Sequence, residues 1–348
     1  MSDGIGGGVV LGGRYRLIAQ VGAGGMAVVW QAHDQVLARD VAVKILAAHY
    51  AGDPRSRHLV RREARTAAAL SHPNIAQVYD YGEAVVGGET VPYVVMELIR
   101  GTTLSRRLQE GPLLPGRAMQ VCAEVAAALA AAHAEGLAHR DIKPGNVMLA
   151  ATGVKVVDFG IAAAVRPPRA GAEDFEIYGT PAYLAPERLL YDAVEPASDV
   201  YALGVLLYRL LAGRSPWTSE TTTQMLTAHV YVEPAPLLPM YQVPEHVTAL
   251  CNRCLAKDPA DRPSAREVAA LLAQAAGLPM PAPEPPATTP AVAPPAMTPA
   301  VAVPRPSPRE GRKRVVAGTA ALALAMAAAA AVCLYASARE HRPSPLTS

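Results

Sequence analysis

The compositional break at Leu278 limits what this chain can fold into more than any other feature. From Leu278 to Pro308 prolines recur every few residues among alanine, threonine and valine. Proline fixes φ and donates no backbone hydrogen bond, so such a run favours extended polyproline II and cannot build a packed core. Any core must come from the residues before it. Fully extended, at about 3.1 Å per residue, the segment could reach roughly 90 Å, and it reads as a spacer.

Arg309, Arg312, Lys313 and Arg314 follow the spacer, and then an uncharged apolar run from Val315 to Tyr335. Its length suits a transmembrane helix, which needs about 20 residues. Alanine is nearly neutral for insertion, so Leu322, Leu324, Met326, Val332 and Leu334 must supply most of the drive. The competing reading, a buried soluble helix, lacks an amphipathic partner after the spacer. Basic residues crowd the N-terminal flank, whereas the tail 336–348 holds only Arg339 and Arg342, which places the N-terminal side in the cytoplasm. Residues 1–14 are polar and glycine-rich, without the apolar core of a signal peptide, and are expected to be flexible. The expectation is a single-pass cell-membrane protein whose folded part, 15–276, is cytoplasmic. Residues 277–314 would form the proline-rich and basic linker, 315–335 the span, and 336–348 a short extracytoplasmic tail.

Within 15–276 the pattern changes from strands to helices. Tyr15 to Trp30 and Asp40 to Leu46 carry β-branched residues around glycine turns, and Tyr93 to Leu98 is a short apolar strand. Asp53 to Leu70 has helical spacing. From Gly101 helices dominate: Met119 to Ala134, the nearly all-apolar Ala197 to Ala212, and Ser264 to Ala276, where Ser264 and Glu267 have capping-box spacing. Half of the 348 residues (51%) are hydrophobic, enough for a sizeable core, and the net charge of +2 argues against a nucleic-acid partner. Cys251 and Cys254 have CxxC spacing, but no second pair or nearby histidines complete a zinc site. They fall on the apolar stripe of a helix (Val247, Leu250, Cys251, Cys254, Leu255) and read as small core residues.

Several groups stand out as candidates for chemistry. Val21-Gly22-Ala23-Gly24-Gly25-Met26-Ala27-Val28-Val29 lies between strand-like runs, so it reads as a hairpin tip. A Rossmann fingerprint is excluded, because that needs a helix after the glycines. A glycine-lined hairpin can bring backbone N–H groups close to phosphates, since no Cβ intervenes. Lys44 sits in the apolar strand Val41-Ala42-Val43-Lys44; an unpaired buried ammonium is costly, and Glu63 in the following helix is its candidate partner. Finally, His139-Arg140-Asp141-Ile142-Lys143-Pro144-Gly145-Asn146-Val147 gathers a carboxylate, an ammonium and an amide just after an alanine-rich helix, and Asp158-Phe159-Gly160 follows.

With Ala185-Pro186-Glu187, these motifs stand in the order found in the protein kinase family, which the chain resembles over roughly residues 15–276. The GxGGM loop and Arg61-Arg62-Glu63-Ala64 are similar to the bacterial membrane-anchored, eukaryotic-like Ser/Thr kinases. The resemblance implies an α+β, bilobal fold: a β-rich small lobe (about 15–98) and a helical large lobe (about 101–276), followed by the disordered linker and single transmembrane helix. It implies ATP and Mg²⁺, with Mn²⁺ as an alternative, and proteins as substrates. Lys44, oriented by Glu63, would hold the α- and β-phosphates; Asn146 and Asp158 would be oxygen ligands of the metal. Asp141 would accept or orient the proton of the substrate hydroxyl, and Lys143 would steady the γ-phosphate. The nucleotide would lie against residues 21–29, Ala42, Met96, Glu97, Ile99 and Met148, with Glu97 and Ile99 contributing backbone groups.

Other positions look structural by the same resemblance. Glu187 would pair with Arg262, Asp199 would brace the loop around Asp141, and His139 and Phe159 would form a column with Ala67 and Val78. Ala27 replaces a third loop glycine. Between Gly160 and Gly179 there is no serine or threonine, and Glu173, Asp174 and Glu176 are candidates to pair with Arg140 in place of a phosphate. The expected function is ATP-dependent phosphorylation of protein Ser/Thr residues, including autophosphorylation, with dimerisation through the small lobes. The alternative is a pseudokinase scaffold, against which the complete set Lys44, Glu63, Asp141, Asn146 and Asp158 speaks. A small-molecule phosphotransferase is disfavoured by the segment from Gly179 to Glu187.

Overall fold

The computed structural model describes residues 6–24, 27–46, 54–86, 88–159, 181–191 and 193–278. The linker beyond Leu278, the apolar run 315–335 and the tail 336–348 lie outside them. No helix among the described residues is long and apolar enough to cross a membrane.

Alternation of side chains builds the first half. Strands β1 (Val10–Leu11), β2 (Tyr15–Ala23), β3 (Ala27–Asp34), β4 (Arg39–Leu46), β5 (Val78–Val86) and β6 (Glu89–Met96) form one six-stranded antiparallel sheet in the order β1-β2-β3-β4-β6-β5. Strand β4 is buried from Val41 to Leu46, and its two faces serve two different cores. Val41, Val43 and Ile45 join Leu17, Trp30, Tyr93 and Val95 on the outer side. Ala42 and Leu46 join Val94 and Met96 on the inner side, which continues into the helical half. Because the strand period is two, Lys44 between Ala42 and Leu46 belongs to the inner face. Gly82 pairs with Tyr93 across the ladder, and a Cβ there would collide with the tyrosine ring.

The N-terminal expectation needs correction. Residues 6–14 are not a flexible lead-in: Val10 and Leu11 pair with Arg16 and Tyr15, and Leu11 is fully buried with Tyr15 and Leu17. Leu11, the partly buried Val9, and hydrogen bonds from the Gly8 N–H to the Leu17 carbonyl and from the Leu17 N–H to the Val9 carbonyl hold this edge strand. Strand β6 also differs from the expected 93–98 run. It starts at Glu89 and ends at Met96, so Glu97 to Arg100 form the connection onward.

Helix α1 (Pro54–Ala69) turns Val60, Glu63, Ala64 and Ala67 inward, a three-four spacing that carries one carboxylate into the core. The second half opens with β7 (Gly101–Thr103) and α2 (Leu104–Gln109), capped by the Thr103 hydroxyl. Then comes α3 (Pro115–Ala134), with proline in its first turn and ten buried residues. Strands β8 (Val147–Ala150) and β9 (Gly153–Val156) join β7 in a small antiparallel sheet. Helices α4 (Pro186–Leu190), α5 (Pro196–Ala212), α6 (Thr222–Tyr231), α7 (Glu245–Cys254) and α8 (Ala265–Ala275) complete the helical half. Helix α3 packs on α8 and α5, and α5 on α7.

Helix α5 ends at Gly213, whose left-handed backbone (φ 71°) lets its N–H reach the Arg209 carbonyl. Cys251 and Cys254 are fully buried free thiols in the core, and burial pushes both up, Cys254 to about 12. The capping box expected at Ser264 is only half present. Its hydroxyl accepts from the Glu267 N–H, but the Glu267 carboxylate pairs with Arg253 at 2.7 Å on α7. A full capping box forms instead at Thr221 and Gln224.

Candidate active site

The loop after α3 is held from below by one carboxylate. Asp199, in the first turn of α5, accepts the backbone N–H of His139 through Oδ2 and of Arg140 through Oδ1, each at 2.7 Å. His133, from the last turn of α3, reaches the same Oδ2 at 2.9 Å. These bonds hold Arg140 at φ 73°, a left-handed conformation that costs a residue with a side chain about 1–2 kcal/mol. Asp199 thus has the bracing position expected, and His133 is a brace the sequence did not reveal. The Asp141 N–H donates to His139 Nδ1, so the His139 hydrogen lies on Nε2, which donates to the Val157 carbonyl at 2.9 Å. The ring meets Phe159 edge to face, with centroids 4.6 Å apart, and Phe159 shares a core with Ala67 and Val78. Of the predicted column, the contact between His139 and Phe159 is formed.

Asp141 stands at the mouth of this loop. Its Oδ2 receives Lys143 Nζ at 2.7 Å and Asn146 Nδ2 at 3.0 Å, and the same Nδ2 donates to the Asp141 carbonyl at 2.7 Å. Because the amide nitrogen makes both bonds, Asn146 keeps its oxygen as an acceptor. Across the cleft Lys44 Nζ meets Asp158 Oδ1 at 2.8 Å, and Asp158 is itself left-handed at φ 66°. Burial pushes the Asp158 carboxyl up, but the adjacent Lys44 ammonium, by charge and hydrogen bond, brings it below the usual carboxylate range.

The expected Lys44–Glu63 pair is not the one formed. Among the described residues Lys44 pairs with Asp158, while Glu63 Oε1 receives Arg140 Nη1 at 2.7 Å. The charges are those expected, but the partners are exchanged. Both of these contacts are shorter than 3 Å. Glu173, Asp174 and Glu176, the residues considered as partners of Arg140, lie outside the described residues, as does the segment 160–180 as a whole.

Of the nucleotide-site candidates, Val21 to Ala23 lie on β2, Gly24 just follows it, and Ala27 to Val29 lie on β3; Gly25 and Met26 lie outside the described residues. Ala42 and Met96 are cross-strand neighbours on the inner face. Met148 lies on β8, opposite Lys155 of β9. Glu97 and Ile99 follow the end of β6, and the Glu97 N–H donates to the Gln77 carbonyl at 2.9 Å. Residues Lys44, Asp141, Lys143, Asn146 and Asp158 are thus linked by short contacts within two clusters, Lys44 with Asp158 and Asp141 with Lys143 and Asn146.

Glu187 and Arg262 form a bidentate buried pair, with Arg262 Nη1 to Oε1 at 2.8 Å and Nη2 to Oε2 at 2.9 Å, and the Ser198 hydroxyl donates to Oε1 at 2.6 Å. Burial raises the Glu187 carboxyl, but Arg262 and Ser198 hold it below its ordinary value. A small pocket beside Asp141 is lined by Arg140, Asp141, Tyr183, Leu184, Ala185 and Arg188 among others.

Comparison with known proteins gives the same picture. The chain is 43% identical over 258 residues to the serine/threonine-protein kinase PknA of Mycobacterium tuberculosis, covering 73% of this chain and 59% of that protein. It is 42% identical over 256 residues to PknB of the same organism, covering 72% of this chain and 41% of PknB. The chain therefore spans a little over half of the one relative and two-fifths of the other. Among solved structures, the kinase domain of Mycobacterium tuberculosis PknI, in a point mutant, matches with a TM-score of 0.57 at 28% identity, over 78% of this chain and 99% of that one. The protein kinase domain family matches residues 15–271, from β2 to the last helix, both halves of the fold and the loop that joins them. On that match the chain belongs to the protein kinase family.

Proposed function

We propose that this chain transfers the γ-phosphoryl group of ATP to serine and threonine hydroxyls of proteins, its own included. The observation that carries this reading is the Asp141 carboxylate, fixed by Lys143 and Asn146 in the loop braced by Asp199 and lining a pocket with Tyr183, Leu184 and Ala185. Phosphoryl transfer has a loose transition state, so positioning and charge neutralisation are most of what a protein must supply. Asp141 would orient the incoming hydroxyl and take its proton. Lys143 would stay beside the γ-phosphate, and Lys44 beside the α- and β-phosphates. The hairpin 21–29 would cover the phosphates with backbone N–H groups, while Ala42, Met96 and Met148 would enclose the base and Glu97 and Ile99 meet its edge through the backbone.

The residues fit a divalent metal. Asn146 and Asp158 offer an amide and a carboxylate oxygen, the hard ligands that Mg²⁺ takes alongside phosphate oxygens and water, and Mn²⁺ accepts the same set. Bound there, the ion would neutralise charge on the phosphates. With Asp158 turned to the ion, Lys44 would be available to Glu63 or to phosphate. Productive binding would then exchange partners, Lys44 leaving Asp158 and Glu63 leaving Arg140.

Membrane attachment through 315–335, with the kinase part cytoplasmic and the linker 277–314 between, is proposed from sequence. So is homodimerisation through the small lobes, which tethering to one surface would favour by raising effective concentration. Isothermal titration with Mg·ATP tests the nucleotide site. Binding is expected for the wild type and at least tenfold weakening for Lys44→Met; equal binding by both would remove Lys44 from the site.

A further inference from the structure

The connection between the two lobes has a charged strut that none of the roles above uses. Lys155, on β9, donates from Nζ to Glu97 Oε2 at 2.8 Å and lies 3.4 Å from the Ile75 carbonyl. Glu97 is the first residue after β6, and its side chain also accepts the Gln77 N–H at 3.3 Å, while its own N–H donates to the Gln77 carbonyl. The segment 74–77 is thereby clamped on one side to Glu97. On its other side it is clamped to β9. The Ala76 N–H donates to the Val156 carbonyl at 2.9 Å and the Val156 N–H to the Asn74 carbonyl at 2.8 Å. Asn74 Nδ2 then reaches the Val154 carbonyl at 2.8 Å, and Glu124 of α3 accepts the Val154 N–H at 2.7 Å.

Lys155 therefore joins two pieces of chain that bound the nucleotide site. Its strand partner is Met148, the proposed floor of the base, and its strand leads directly to Asp158. Its ionic partner Glu97 adjoins Met96, the cross-strand neighbour of Ala42 on the opposite wall. The two side chains are 15% and 26% exposed, so solvent screens the pair only partly.

We propose that Lys155 is a positioning residue for the nucleotide: through Glu97 it fixes the backbone from Glu97 to Ile99 against β8 and β9 and so sets the width of the slot that receives the base. Neither Lys155 nor the Glu97 carboxylate touches the reacting atoms. Their effect falls on nucleotide affinity and leaves the transfer step alone. The inference rests on the ATP-dependent reading above, and its test separates the two.

The test compares the full chain with Lys155→Met, Lys155→Arg and Glu97→Gln, reading KM for ATP, kcat, Kd for Mg·ADP and the melting temperature. For Lys155→Met the expected result is a rise in KM and Kd of roughly fivefold or more, with kcat within about twofold of wild type. Lys155→Arg restores most of the affinity, because it keeps the charge. Glu97→Gln shifts Kd in the same direction as Lys155→Met, and the double variant is no weaker than the worse single one. An unchanged Kd with a lowered melting temperature would reduce Lys155 to a stabilising strut and overturn the proposal, as would a fall in kcat at constant KM. If the wild type transfers no phosphate, the function reading fails, and the Kd series still decides the role of Lys155.

Discussion

Replacing Arg262 by methionine probes the joint between α4 and the rest of the helical half. Arg262 directs hydrogen bonds to both Glu187 oxygens and to the carbonyls of Ala256, Ala197 and Lys257, at 2.8 to 3.0 Å. Its side chain is 0% exposed and that of Glu187 is 7% exposed. Methionine fills similar volume but leaves a buried carboxylate with Ser198 as its remaining side-chain donor. Removing one member of a buried ion pair costs about 3–5 kcal/mol, because the other charge stays in a low dielectric. At roughly 2–4 °C per kcal/mol for a domain of this size, that corresponds to a fall in Tm of about 6–20 °C. Arg262→Lys keeps the charge without the planar fork and should lie between. The Arg253–Glu267 pair is an internal control, since its 2.7 Å contact is between side chains 50% and 41% exposed. Arg253→Met should cost far less, because solvent screens that pair. Thermal and urea unfolding of the three variants read these values. If Arg262→Met costs no more than Arg253→Met, burial does not govern the strength of these pairs and the reasoning fails.

Three further outcomes follow from specific contacts. Gly204→Ala places a Cβ 2.6 Å from Cys254 Cβ and 3.2 Å from its backbone carbon, where α5 crosses α7, and should lower the free energy of urea unfolding by about 1–3 kcal/mol; Cys254→Ala, which keeps the Cβ, should not rescue it. His229 is buried against Tyr201 and Trp217, and burial first, then the Lys257 charge, lowers it from 6.5 to about 4. The unfolded chain therefore takes up a proton near pH 6.5 that the folded chain refuses until about pH 4, so stability falls as pH drops through that window, by at most about 3 kcal/mol. His229→Phe should flatten the fall of Tm between pH 7 and 5; an unchanged slope would exonerate His229 and leave His72, which is also lowered, as the source. Lastly, Glu63→Gln weakens the hold on Arg140 and also removes the proposed orienting partner of Lys44, so kcat should fall by roughly tenfold or more with the fold retained; full activity would show that the partner exchange plays no part in turnover.

The legible parts of the fold are those set by local pattern. The helical spacing of Val60, Glu63, Ala64 and Ala67, the apolar run of α5 and the alternation along β4 each match one element to within a few residues. Glu187–Arg262, Asp199 with its two backbone N–H groups, and His139 on Phe159 were anticipated as well, though only as what the resemblance to the protein kinases implies. Charge pairing was less legible. Lys44, Glu63, Arg140 and Asp158 are two acids and two bases within one cleft, and either pairing satisfies the sequence; tertiary placement chose Lys44–Asp158 and Glu63–Arg140. The capping box at Ser264 failed for the same reason, since Glu267 had a competing arginine on a neighbouring helix. Strand β1 was missed because two residues give no periodicity, and Lys155 because its partner lies on another lobe, with no spacing to announce it.

The most direct measurement is the transfer of labelled γ-phosphate from Mg·ATP to a generic protein acceptor by the full chain, with Asp141→Asn as the paired control and the modified residues located by mass spectrometry. Phosphoserine and phosphothreonine should appear with the wild type and fall by at least about a thousandfold with Asp141→Asn, while both proteins bind nucleotide equally. Equal labelling by the two, or nucleotide binding without transfer by the wild type, would contradict the account.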